Sequence, residues 1–313
     1  MKTTNKKALI IGASGQDGKI LSDFLTQRHY QIIGVDQKEN LLSKSKQINI
    51  DINQPRAVFR LIKNTQPREI YYLAAFHHSS QSKAKSPAAE LQESYKTNVL
   101  SFLNFLEGIR RYSPQTKIFY ASSSLIFGNG QKKKQTEKTP YNPTSAYGLT
   151  KMDGTLLCQL YREKYGLFAA AGILYNHESS FRSEDFISMK IIKSALRIKN
   201  GEQKKLIVGD LKASVDWGYA PDYVRAMYLI LNSPSAADFI IATGKAHTVL
   251  DFIKIVFNYL GLDWKKYVIE DRGLITPQRR MLIGDSRKLR QTTGWRPSVD
   301  FVTMIKTIIG KLA

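Results

Sequence analysis

The sequence predicts an α/β protein, a doubly wound parallel sheet joined to a smaller C-terminal α/β domain that carries the substrate side. An apolar run, Ala8-Leu9-Ile10-Ile11, opens directly into glycines at 12, 15 and 18 and then into a helical stretch, 19–25. Apolar runs of strand length then alternate with helix-length segments as far as residue 173, the pattern of parallel strands joined by crossover helices. With 313 residues, 42% of them apolar, the chain can bury a sizeable core in one large or two interleaved domains. The expected division gives the sheet domain 1–174 and a returning segment at about 213–245, and the smaller domain 175–212 and 246–313.

The first strand hands over to its helix through Gly12-Ala13-Ser14-Gly15-Gln16-Asp17-Gly18. Glycine permits the tight turn and lets backbone N–H groups approach an anion at the helix N-terminus, where the dipole also favours negative charge. A second strand follows at 31–36, and in that context the turn predicts a dinucleotide site in a Rossmann-type fold. Asp36 closes the strand, eighteen residues after Gly18. A carboxylate there accepts from both hydroxyls of an adenosine ribose and repels a 2′-phosphate. The cofactor is therefore read as NAD, with Lys38 the neighbouring feature that would suit NADP. Residues 47–52 read as a third strand that brings Asp51 and Ile52 to an adenine ring.

Residues 55–64 read as a helix begun by Pro55. The segment 69–75 reads as a buried strand whose small end, Leu73-Ala74-Ala75, suits a cofactor passing close by. His77 and His78 follow at the carboxyl end of that strand, where open α/β sheets bind ligands. Adjacent histidines do not face one way, so substrate contact or plain exposure is expected there, and no metal site. Residues 86–111 read as one long helix with apolar residues on two sides, Val99, Phe102, Leu103, Phe105, Leu106 and Ile109, which asks for a cover besides the sheet. A strand at 117–121 runs into Ser122-Ser123-Ser124; a basic loop, 131–138, a helix from Ala146 to Tyr165 and a strand at 168–173 follow.

Composition narrows the function classes. Lys and Arg number 47 against 26 Asp and Glu, a net charge of +21. The basic residues are dispersed, with Lys132-Lys133-Lys134 a lone run, which argues against a nucleic-acid footprint and suits acidic small molecules such as a nucleoside diphosphate. No apolar run approaches bilayer length and no secretory signal is visible, so no membrane partner is expected. The single cysteine, Cys158, excludes an intramolecular disulfide and a cysteine-rich metal site. A cytoplasmic enzyme is the expectation.

Tyr147 and Lys151 stand four apart on the 146–165 helix and so share one face. An ammonium beside a phenol, with a positive nicotinamide nearby, is expected to lower the phenol pKa toward neutrality. Tyr147 then removes a proton from a sugar hydroxyl while hydride leaves the same carbon, and Ser123 fixes the oxygen.

These residues, together with Gly172-Ile173-Leu174-Tyr175-Asn176-His177-Glu178-Ser179, Asp216-Trp217-Gly218-Tyr219-Ala220-Pro221-Asp222-Tyr223-Val224 and Ile241-Ala242-Thr243-Gly244, resemble the extended short-chain dehydrogenase/reductases. Within that group the chain most resembles the GDP-mannose 4,6-dehydratase family, from Lys7 to about Pro297. The resemblance implies a GDP-hexose or GDP-heptose substrate. It places Asn176, Glu178, Arg182 and Lys190 near the nucleotide-sugar diphosphate, with His78, Ser124, Leu125 and Arg280 on the substrate side. It also implies a homodimer or homotetramer, since relatives pair the 86–111 helix and the Tyr147 helix, here with Met152, Leu156, Leu157 and Leu160, across a two-fold axis.

The departures from the family pattern are chemical. The glutamate that takes the C5 proton in the dehydratases is matched by Leu125, a tyrosine by Phe127, and two arginines by Val215 and Met189; Arg182, Arg279 or Arg280 are candidates to replace the lost cations. Oxidation, reduction or epimerisation at C4 needs only Ser123, Tyr147 and Lys151. The alternatives are a true dehydratase with its base relocated to Glu137 or Glu178, and a non-catalytic NAD-binding regulatory protein.

Overall fold

The computed structural model describes residues 6–37, 46–76, 86–129, 134–274 and 281–313. The first half alternates strand and helix: β1 (Lys7–Ile11), α1 (Gln16–Thr26), β2 (Gln31–Val35), β3 (Lys46–Ile48), α2 (Pro55–Thr65), β4 (Glu69–Tyr72), α3 (Pro87–Tyr95), α4 (Ser101–Tyr112), β5 (Lys117–Ser123), α5 (Ala146–Tyr165) and β6 (Ala169–Leu174). The second half holds β7 (Asn176–Glu178), α6 (Ile187–Lys199), β8 (Leu206–Val208), β9 (Ser214–Val215), β10 (Trp217–Tyr219), α7 (Ala220–Leu231), β11 (Phe239–Ile241), β12 (His247–Thr248), α8 (Val249–Tyr259), α9 (Trp264–Tyr267), β13 (Val268–Glu270), α10 (Arg287–Thr293) and α11 (Phe301–Gly310).

Seven described strands form one sheet in the order β11-β6-β5-β4-β1-β2-β3, every pair parallel. The apolar runs of the strands other than the edge strand β3 are buried on both faces, as parallel sheets require. Alternate side chains divide between two cores: Ala8, Ile10, Tyr71, Phe119 and Ala121 pack with α1 and α7, whereas Leu9, Ile11, Ile70, Tyr72, Ile118 and Tyr120 pack with α2, α4 and α5. A third core joins α6, β8, α8 and α11 around Met189, Trp217, Phe252 and Met304. Among the described residues no helix is long and apolar enough to cross a membrane.

Two expectations are corrected. Strand β3 stops at Ile48, and Asp51 instead opens a turn, its Oδ1 accepting from the backbone and side-chain nitrogens of Asn53. The expected long helix is broken between α3 and α4 by a π-helical turn, Lys96–Leu100. The second cover that its two apolar sides ask for is supplied within the chain. Phe102, Phe105, Leu106 and Ile109 are fully buried, because α2 covers the side that the sheet does not.

Candidate active site

The turn after β1 could be built only from glycine at its ends. Gly12 has φ +88°, and a Cβ there would come within 2.7 Å of the Ala74 nitrogen. A Cβ on Gly18 would come within 2.5 Å of the Gly12 carbonyl oxygen. Helix α1 begins against this turn with Gly15 as its N-cap and no side chain capping it, so its first amides and dipole suit a pyrophosphate. At the end of β2 the Asp36 carboxylate accepts from the Ser14 backbone N–H (2.9 Å) and hydroxyl (2.6 Å). Ser14 thus orients the proposed ribose acceptor. Leu73, Ala74 and Ala75 line up just beyond β4, with the Leu73 N–H bonded to the Ile11 carbonyl (2.8 Å). Ile52 is buried beside Asp51. This glycine turn, uncapped helix and strand-end carboxylate fit a dinucleotide.

Gln16 and Asp17 turn toward β7. The Gln16 amide donates to the His177 carbonyl (3.1 Å) and accepts from the Ser179 hydroxyl (2.8 Å). Asp17 meets His177 Nε2 at 2.9 Å, while His177 Nδ1 lies 2.7 Å from the Tyr175 carbonyl oxygen. Burial works to raise the Asp17 pKa, but the His177 and Arg182 charges and the His177 contact hold it below the usual carboxylate value. Burial likewise works to lower the His177 pKa, and Asp17 raises it above the usual imidazole value. The first turn of α1 and the strand of the Asn-His-Glu-Ser segment are therefore joined by the largely buried Asp17–His177 contact.

Lys151 is 1% exposed. Its Nζ donates to the Ala121 carbonyl (2.8 Å) and stands 5.6 Å from the Tyr147 ring centroid. Ser123 ends β5 two residues after Ala121, and its Oγ accepts from the Leu125 N–H (3.2 Å). In the chain by itself, burial pushes the Tyr147 phenol up to about 12; the expected fall toward neutrality includes the charge of a nicotinamide. The same burial pulls Lys151 down to about 7, so at neutral pH its charge is only partly present and cannot offset the desolvation of a phenolate.

Leu125 is half-buried in a short 3-10 turn, Ser124–Phe127, that packs against α5, with Ser124 and Phe127 buried. A Cβ on Gly148, next to Tyr147, would come within 2.6 Å of the Leu125 carbonyl oxygen. The two carboxylates considered as relocated bases are engaged elsewhere. Glu178 accepts from the Ser188 hydroxyl (2.6 Å) and pairs with Arg182 (3.4 Å); Glu137 accepts from the Ile240 N–H (2.9 Å). Asp17, the carboxylate felt at Tyr147, is held by His177. Asn176 is exposed at the start of β7, Lys190 is half-buried on α6, and the Arg182 guanidinium lies 3.4 Å from the Phe186 ring. Met189 is buried in the third core and Val215 belongs to β9. Lys38, His77, His78, Arg279 and Arg280 lie outside the described residues.

Two contributors had no sequence reading. Asn98, in the π-helical turn, is fully buried; its Oδ1 accepts from the Phe76 N–H (3.0 Å) and its Nδ2 donates to Thr150 Oγ1 (3.0 Å). It ties the loop after β4 to the helix of Tyr147 and Lys151. His177 lay within a quoted motif, but its partner Asp17 is 160 positions away. Among the described residues no cluster of histidine, cysteine or carboxylate side chains could hold a metal ion.

The family described as GDP-mannose 4,6 dehydratase matches residues 9–308. The chain is 36% identical to GDP-mannose 4,6 dehydratase 2 of Arabidopsis thaliana, covering 97% of this chain and 86% of that one. It is 32% identical to the GDP-mannose 4,6-dehydratase of Sinorhizobium fredii, covering 94% and 93%. Among solved structures, a dTDP-glucose 4,6-dehydratase from Bacillus anthracis in complex with NAD superposes with a TM-score of 0.84 at 20% identity, over 97% of this chain and 96% of that one. A UDP-glucose 4-epimerase from Thermotoga maritima with UDP-glucose gives 0.84 at 22% identity, over 98% of both chains.

Proposed function

The chain belongs to the GDP-mannose 4,6-dehydratase family, and from that premise we propose that it is a nucleotide-sugar oxidoreductase working at C4 of a GDP-hexose or GDP-heptose with NAD. What supports this reading is local. Ser123 ends β5, Lys151 Nζ donates to the Ala121 carbonyl and stands 5.6 Å from the Tyr147 ring centroid, and the turn that follows β5 carries Leu125, where the family resemblance calls for a glutamate. Removal of the C5 proton requires a base, and a positioned base contributes about two to four orders of magnitude to such a step. Leucine has no proton chemistry.

When bound, NAD supplies the hydride acceptor. The residues of the chain do the rest. Gly12, Gly15 and Gly18 with the amides of α1 hold the pyrophosphate, and Asp36 the adenosine ribose. Asp51, Ile52, Leu73, Ala74 and Ala75 flank the dinucleotide. Ser123 Oγ positions the C4 oxygen of the sugar and Tyr147 Oη exchanges a proton with it. Lys151, drawn toward neutrality by burial, takes up charge most readily when Tyr147 becomes anionic. Asn176, Glu178, Arg182 and Lys190 are assigned to the nucleotide-sugar side, and the segments 175–212 and 246–313 to the substrate domain.

Incubation with GDP-mannose and NAD in deuterated water tests the reading. Reduction of NAD or exchange at C4 without a 6-deoxy-4-keto product is expected, and Tyr147→Phe should lower that redox activity by about two to four orders of magnitude. Rapid formation of a solvent-labelled 6-deoxy-4-keto sugar would overturn it. That outcome would favour the second reading, a 4,6-dehydratase with a relocated base, which rests on the 36% identity to a curated dehydratase.

A further inference from the structure

Helix α10 packs against β11, the edge strand of the sheet. It lies four strands from β1, about 19 Å across the sheet from the glycine turn at ~4.8 Å per strand. Arg287, Arg290 and Gln291 share its outer face, being three and four positions apart. Together with Arg296 they line an open pocket of about 360 Å³.

The pocket is built on a fixed frame. The helix ends at Gly294 in the left-handed region, φ +70°, and the chain turns at once into Trp295, which is fully buried. The Trp295 indole N–H donates to the Asp222 carbonyl (2.8 Å), and the Ser298 N–H donates to the Asp222 carboxylate (2.8 Å). The Arg296 carbonyl accepts from the Arg225 guanidinium. The backbone at Arg296 is thereby held on both sides.

The charges in the pocket do not cancel. Arg287 is oriented by Asp285, Nε to Oδ2 at 2.8 Å. Lys288 turns away, its ammonium donating to the Asp238 carbonyl (2.8 Å). Arg290 and Arg296 have no acidic partner among the described residues. Like charges three apart on one helix face cost a few tenths of a kcal/mol; Asp285 offsets the charge of Arg287, whereas Arg290 and Arg296 are left for an anion to neutralise. A guanidinium is a planar fork that matches phosphate oxygens in pairs. No aromatic ring lines the pocket, so a base has nothing to stack on, while the Gln291 amide can serve a neighbouring hydroxyl. A nucleic acid would need an extended basic stripe; here the cations converge on a space at the small end of ligand-site volumes.

We propose that α10 and the loop after it form a second ligand site, separate from the dinucleotide turn, for a small molecule carrying two phosphoryl groups. The site needs no particular reaction at Tyr147, so it stands whichever sugar chemistry the enzyme performs.

Calorimetric titration of the full chain with inorganic pyrophosphate at physiological ionic strength tests it. Saturable binding is expected, retained when NAD is saturating. Arg290→Ala/Arg296→Ala should weaken it at least about tenfold, since two charge-assisted contacts are lost. Lys265→Ala/Lys266→Ala, which removes the same charge from exposed residues of α9, should leave it unchanged. Binding displaced by NAD would place the pyrophosphate at the glycine turn and overturn the proposal. Equal weakening in the two double variants would reduce it to general charge attraction and overturn it as well, as would the absence of saturable binding.

Discussion

Lys151 shows how a single buried group can set a pH response for the whole chain. Its pKa is drawn down to about 7 by burial, against about 10.4 for a lysine in water. Between those values the unfolded chain holds a proton that the folded chain has released, so stability rises with pH across that window. Below about 7 the folded state carries the full cost of a buried ammonium. Thermal denaturation should therefore give a Tm that rises from neutral pH to about pH 10 in the native chain relative to Lys151→Met, with the variant the more stable at about pH 6; parallel curves would exclude Lys151 as the titrating group. Asp36 carries a second expectation. Because Ser14 already holds its carboxylate, it presents acceptors without rearrangement, and NAD should bind more tightly than NADP. Asp36→Ala should narrow that preference by about tenfold, the weight of one charge-assisted contact, without loss of folding; tighter NADP binding by the native chain would refute the assignment. The placing of Tyr147 and Lys151 on one helix face and of Ser123 at the end of the preceding strand was readable in the sequence. The Asp17–His177 pair was not, since 160 positions separate the partners and local spacing says nothing of such a contact. Tyr147 has a related limit: spacing gives the neighbouring charge, but only the fold gives the depth of burial.

At the scale of elements, Asp216 binds the returning segment to its surroundings. It is 1% exposed, and its carboxylate accepts from the N–H and hydroxyl of Thr243, the Gly244 N–H and, at 3.3 Å, the Gly284 N–H. One side chain thus joins the approach to β10, the loop after β11 and the approach to α10. Each buried donor left without a partner costs about 1–3 kcal/mol. Asp216→Ala is expected to destabilise the chain by at least about 3 kcal/mol in urea unfolding, and a loss below about 1 kcal/mol would mean that water replaces the carboxylate. The strands of the main sheet were legible because parallel strands buried on both faces are continuous apolar runs, and α5 because Ser145 caps it and Gly166 stops it. The π-helical turn was not legible, since nothing in Lys96-Thr97-Asn98-Val99-Leu100 breaks a helical pattern. Its extra residue per turn is what brings Asn98 to the backbone of Phe76, a tertiary reason that no local propensity contains.

For the whole molecule, the question is which apolar surface remains once the chain has folded. The surplus expected from Val99 to Ile109 is largely spent within the chain, where α2 and the sheet bury it. What stays outside is narrower: Leu100 at 54% exposure, Leu156 at 42% and Leu160 at 48%. Leu156 and Leu160 are four apart on α5, and the π-helical turn that carries Leu100 packs beside that helix. An exposed leucine forfeits about 1.5–3 kcal/mol relative to a buried one, and three on adjoining helices suit a self-complementary contact across a two-fold axis. The net charge of +21 opposes association through its general repulsion, so an apolar contact must outweigh it, and association should strengthen with added salt. Light scattering of the native chain at micromolar concentration is expected to give at least the mass of a dimer. Leu156→Glu/Leu160→Glu should return the mass of one chain, because a dimer would bury two unpaired carboxylates per protomer, while leaving the fold intact, since both positions face water in the monomer. A native chain that stays monomeric at high salt, or a double variant of unchanged mass, would rule out this face as the contact.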